Sequence, residues 1–132
     1  MQSSIEGMRI LVVDDSSSLR ATLVEALHDR GAVVDEADNG VIGMSRITGN
    51  AYDLVFTDLV MPEMDGFEFC REVRKLTEGR TVPIIAVSTY TDSHYITRVL
   101  REGADDFTAK PFNFEQLDKV IERVQARIGE GK

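Results

Sequence analysis

Three short stretches constrain the fold of this chain more than anything else in it. "RILVV" (9–13), "DLVFT" (53–57) and "PIIAVS" (83–88) are continuous apolar runs rather than alternating ones. Runs of this kind read as strands buried on both faces, the condition of a parallel sheet sandwiched between helices. "AVVDEA" (32–37) and "DFTAK" (106–110) are weaker strand candidates. The intervening segments have helical spacing. Leu19, Leu23, Ala26 and Leu27 lead to Gly31 as a helix stop, and Phe67, Cys70, Val73 and Leu76 recur at threes before Gly79. Leu117, Val120, Ile121, Val124 and Ile128 make the clearest stripe. Strand and helix alternate five times, the pattern of an α/β domain with helices on both faces of its sheet. The 132 residues suit one domain, and no repeat or internal linker divides them.

Sites in such sheets form just beyond the carboxyl ends of the strands. The first run ends in Asp14 and Asp15, the third strand in Asp58, the fourth in Ser88 and Thr89, and the fifth in Lys110. Three carboxylates, two hydroxyls and one ammonium are therefore expected at one edge. Crowded carboxylates repel, and a divalent cation relieves them; hard oxygen ligands suit Mg²⁺ better than zinc. A Mg²⁺ held by one or two carboxylates commonly completes its shell with phosphate oxygens. Lys110 adds a compact positive charge for the same oxygens, and Ser88 a hydroxyl donor. With charge neutralised in this way, a carboxylate can act as nucleophile on phosphorus and form an acyl phosphate. That chemistry gives Asp58 a use.

Charge narrows the partners. Fifteen Lys and Arg against 23 Asp and Glu leave a formal charge of −8, which disfavours direct contact with nucleic acid or an anionic membrane. Cys70 is the lone cysteine, so no internal disulfide forms and a reducing compartment is expected. The opening "MQSSIEG" lacks the marks of a signal peptide, and no apolar run approaches the ~18 residues of a membrane span. A cytoplasmic location is expected.

"VVDDS" after the first strand, "DLVMPEMDGFEF" after the third, "PIIAVST" at the fourth and "GADDFTAKPF" at the fifth together resemble the receiver domain of two-component response regulators. The resemblance spans about residues 8–128, leaving a leader at 1–7 and a tail at 129–132. It implies a flavodoxin-like, doubly wound (βα)5 fold with strand order 2-1-3-4-5, and a histidine kinase or phosphotransfer protein as phosphoryl donor to Asp58. It further implies that Asp15 is the main Mg²⁺ ligand, with Asp14 beside it acting largely through water. Asp58 becomes both ligand and phosphoacceptor, and the backbone carbonyl of Val60 completes the protein's share of the shell. Mn²⁺ is expected to substitute. Ser88 is expected to swing in to a phosphoryl oxygen and Lys110 to pair with another, its place set by a cis Lys110–Pro111 bond. Gly66 permits the turn into the third helix. Phe107 is the switch aromatic behind Ser88, where the family has Tyr or Phe. The face formed by the fourth helix, fifth strand and fifth helix is expected to change for a downstream target or output domain, or for a phosphorylation-dependent homodimer. The expected role is that of a signalling phosphoacceptor, an enzyme only towards itself. Val60 and Tyr90 lack the carboxylate or amide that would orient an attacking water, so slow hydrolysis is expected.

Other readings compete. A Mg²⁺-dependent phosphohydrolase with an Asp nucleophile usually carries a second Asp two residues on, where this chain has Val60. A flavodoxin would need a Ser/Thr/Gly phosphate loop in place of "DDSSS". A degenerate receiver binding partners without phosphate is the third alternative, although each charged member of the set is present. One serine of residues 16–18 and Asp65 are expected as helix caps. Cys70, Met44, Met61 and Met64 are expected in the packing, and His28 and His94 on helices without a metal role.

Overall fold

The computed structural model describes residues 5–76 and 81–130. Gly79, residues 1–4 of the leader and residues 131–132 of the tail lie outside them. Five strands, β1 (Arg9–Val13), β2 (Val33–Ala37), β3 (Leu54–Thr57), β4 (Ile84–Ser88) and β5 (Asp106–Ala109), alternate with five helices. The helices are α1 (Ser17–Asp29), α2 (Gly40–Gly49), α3 (Gly66–Lys75), α4 (Ser93–Glu102) and α5 (Phe114–Glu130). All strand pairings are parallel, in the order β2-β1-β3-β4-β5. This is the flavodoxin-like arrangement expected from the sequence. The three continuous apolar runs are the three interior strands, and the two weaker candidates are the edges, where one side of each strand meets water.

Successive strand residues point to opposite faces, and the core divides accordingly. Leu11, Val13, Val55, Ile84 and Ala86 pack with Ile47 of α2, Phe69, Cys70 and Val73 of α3, and Val99 of α4. Their neighbours Ile10, Val12, Phe56, Ile85 and Val87 pack with Leu23, Ala26 and Leu27 of α1 and Leu117, Val120, Ile121 and Val124 of α5. Ile5 is buried in the second group, so packing begins ahead of β1. Gly31 ends α1 with a φ of +88°, the left-handed conformation that makes glycine a helix stop. Leu19 departs from the expected stripe and is 42% exposed. It sits in the first turn of α1, where it lines a small cavity with Val87, Lys110, Pro111 and Phe112. Leu76 lies just past α3 as its C-cap and packs partly against the core.

Caps fall where the residue chemistry puts them. The side chains of Ser16, Asn39 and Asp65 accept backbone N–H groups at the starts of α1, α2 and α3. No helix among the described residues is long and apolar enough to cross a membrane.

Candidate functional site

The ladder itself assembles the site. Val13 is paired with Thr57, so Asp14 and Asp58 leave adjacent strands together, and the Asp58 N–H donates to Val13 O at 2.9 Å. Ser88 is paired with Ala109, and the Lys110 N–H donates to Ser88 O at 2.9 Å, which delivers Lys110 to the same edge. One carboxylate oxygen each from Asp14, Asp15 and Asp58 lies within 4.8 Å of the other two. Lys110 Nζ donates to Asp14 Oδ2 at 2.5 Å and stands 3.4 Å from Asp58 Oδ2.

Asp14 and Asp58 thus share the Lys110 ammonium in a closed setting, with the exposed Asp15 carboxylate at its rim. The Lys110, Asp14 and Asp58 side chains are 7%, 6% and 12% exposed. Burial pushes the Asp58 carboxyl up from 3.8 to about 6, opposed by the Lys110 charge and reinforced by the Asp14 charge. The Leu59 N–H, donating to Asp58 Oδ1 at 2.8 Å, restrains the rise. The site is short of positive charge, and its donors are all hard oxygens. That combination fits a Mg²⁺-sized cation and not a soft metal.

Neighbouring contacts hold the acceptor in place. Thr57 Oγ1 donates to Asp58 O at 2.9 Å, and the Gly66 N–H donates to Leu59 O at 2.8 Å. A Cβ on Gly66 would fall 2.0 Å from Asp58 O, so only glycine lets α3 start this close to the strand end. The need is steric and not one of backbone angle. Ser88 is fully buried, and its Oγ accepts the Tyr90 N–H at 3.0 Å. Phe107 is half-buried against the core on the α3–α4 side. The Lys110–Pro111 bond is cis. Val60 is exposed beside Asp58.

The model of the response regulator receiver domain matches residues 10–122. This chain belongs to that family. A rice protein, two-component response regulator ORR41 of Oryza sativa subsp. japonica, is 40% identical over 118 residues, covering 86% of this chain and 91% of its own. The receiver fold of Vibrio cholerae chemotaxis protein CheY4 superposes with a TM-score of 0.85 at 33% identity, over 89% of this chain and 98% of the other. The receiver domain of sensor histidine kinase PA1611 from Pseudomonas aeruginosa gives 0.83 at 29% identity, over 89% and 97%; its structure holds a magnesium ion in the active-site cleft. The chain spans about half the length of several other curated relatives.

As a receiver domain the chain is a signalling phosphoacceptor, and its acidic cluster is of the kind at which receiver domains bind Mg²⁺. Remaining candidates fall outside the cluster. Cys70 is buried in the core with its thiol pushed up to about 12, mainly by desolvation. Met61 is buried, while Met44 and Met64 are half-buried against the same core. His28 lies on α1, and the His94 ring on α4 packs 4.2 Å from the Tyr95 ring. Arg20 was not among the residues read as functional, yet it donates to Asp14 O at 2.6 Å. Its only signal in the sequence is a cation shortly after an acidic pair.

Proposed function

We propose that Asp58 accepts a phosphoryl group from a phosphohistidine of a sensor kinase or phosphotransfer protein, and that residues 8–128 act as the complete receiver. The observation that carries this reading is the convergence of the Asp14, Asp15 and Asp58 oxygens within 4.8 Å of one another beside Lys110 Nζ. An Asp58 carboxylate oxygen attacks phosphorus, the P–N bond breaks, and the imidazole leaves. A bound Mg²⁺, with Mn²⁺ as substitute, would neutralise charge on the phosphoryl oxygens. Asp15, Asp58 and the Val60 carbonyl would hold the cation, with Asp14 beside Asp15 acting largely through water. Lys110 moves its charge from Asp14 to a phosphoryl oxygen, and small phosphodonors serve the same self-catalysed reaction.

Signalling follows from the new charge, roughly −1.5 to −2 with three strong acceptors. Ser88 exchanges the Tyr90 N–H for a phosphoryl oxygen, and Phe107 closes in behind it. The responsive face is α4, β5 and α5, read by a target, an output domain or a second copy of the chain in the cytoplasm. α4 suits a moving element, since Val99 is its single fully buried residue and its N-cap Asp92 makes no side-chain cap bond. Phe107 carries no hydroxyl, so its two positions differ by packing alone. Val60 and Tyr90 leave an attacking water without a carboxylate or amide to orient it, and the acyl phosphate is long-lived. Intact mass after incubation with acetyl phosphate and Mg²⁺ tests the reading. One phosphoryl group is expected on the wild type and none on Asp58→Asn or with EDTA. An unchanged wild-type mass would overturn it.

A further inference from the structure

We infer that Arg20 is a positioning residue for the acidic cluster, holding the peptide unit between Asp14 and Asp15 and thereby setting the site's affinity for a divalent cation. The inference rests on the cation reading of that cluster. The two carboxylates are held in different ways. Asp14 is pinned at every polar atom: its N–H donates to Ala37 O at 3.0 Å, Oδ1 accepts the Ser16 N–H at 2.9 Å, and Oδ2 accepts Lys110 Nζ. The Asp15 side chain is exposed and makes no hydrogen bond or ion pair among the described residues. Its carboxylate is therefore placed by its backbone. The plane that carries the Asp15 nitrogen is rigid and ends in Asp14 O, and that oxygen accepts from the Arg20 guanidinium at 2.6 Å.

The guanidinium is itself held. Arg20 Nε donates to Glu36 Oε1 on β2 at 3.0 Å, and the Arg20 side chain is 18% exposed. The fork of donors lets one side chain reach the Asp14 carbonyl and the Glu36 carboxylate together, which a lysine ammonium does less well. Glu36 also decides the sign of the effect. A bare cation beside the cluster would weaken metal binding by repulsion, so its removal would tighten binding. Paired with Glu36, the Arg20 charge is largely offset, and orientation dominates. Contacts that orient metal ligands from behind are typically worth about 10- to 100-fold in affinity.

Calorimetric titration of the full chain with Mg²⁺ alone reads this directly. Arg20→Met is expected to weaken Mg²⁺ binding about tenfold. The Mg²⁺ concentration for half-maximal phosphorylation by acetyl phosphate should rise in step, with the maximal rate unchanged. Arg20→Lys is expected to fall between, as partial rescue, and it carries the test if Arg20→Met does not fold. Unchanged or tighter Mg²⁺ binding in a folded variant overturns the inference while leaving the cation reading intact. Wild type that gives no saturable Mg²⁺ binding overturns both.

Discussion

The two ends of the sheet balance charge in opposite ways. At the amino end, Arg74 of α3 donates to Val82 O at 2.5 Å, to Gly103 O at 2.7 and 3.0 Å, and to Asp105 Oδ2 at 2.9 Å. Asp105 Oδ2 in turn accepts the Ile84 N–H at 2.8 Å. Cation, carboxylate and carbonyls are matched there, and the network ties α3 to the starts of β4 and β5. At the carboxyl end, among the described residues, the clustered Asp14, Asp15 and Asp58 have one ammonium, Lys110, which contacts Asp14 and Asp58. A satisfied network stabilises and an unbalanced one is poised to bind. The molecule keeps its stability at one end and its reactivity at the other.

The sharpest way to break that division is Gly66→Ala. The added methyl meets Asp58 O at 2.0 Å, so the substitution should cost the fold about 3 kcal/mol or more and abolish phosphorylation too. Chemical denaturation and intact mass read the two losses. A well-folded, phosphorylatable variant would show that the α3 start is pliable. Arg74→Met tests the other end: leaving the part-buried Val82 and Gly103 carbonyls and the exposed Asp105 without this partner should cost about 2 kcal/mol, while phosphorylation of the folded fraction continues. Loss of phosphorylation without loss of stability would contradict the comparison.

Asp58 supplies a smaller effect with a defined sign. Its carboxyl titrates near 6 in the fold and near 3.8 in the open chain, so the folded state binds more protons between those values. Stability from this group is complete below about pH 4 and is lost as pH rises through about 6. Asp58→Asn should remove that slope and stabilise the protein at pH 7 by about 1–2 kcal/mol in the absence of divalent cation. Thermal melts of both proteins between pH 5 and 7.5 check it, and an Asn variant less stable than wild type at pH 7 counts against a strained site. The smallest effect is expected at Glu63, which has a φ of +69° in the loop between Asp58 and α3. Glu63→Gly relieves a left-handed side chain and should stabilise by about 0.5–1 kcal/mol, measured by denaturant midpoint.

Much of this was legible in the chain because it is local. A strand buried on both faces must be apolar throughout, so β1, β3 and β4 announced themselves as runs, and their first polar residues marked the edge where a site forms. A cap among serines 16–18 and one at Asp65 were readable because a cap acts on backbone three residues away; which serine, Ser16, was left to the structure. The edge strands were fainter because they are half-solvated, and Leu19 was misplaced because helical periodicity gives a face and not the depth to which each residue on it is buried.

The sequence by itself therefore determined the alternation of elements, the interior strands and the roster of polar groups at the strand ends. Tertiary structure alone decided how those groups pair. Lys110 and Asp14 are 96 positions apart, and only strand register brings their atoms to 2.5 Å. Arg20 reaching Asp14 O and Arg74 reaching Val82 O and Gly103 O were likewise invisible, because a long flexible side chain finds its acceptor only after the backbone has folded around it. The steric demand at Gly66 has the same origin, since Asp58 O becomes its neighbour only once α3 has turned back onto the end of β3.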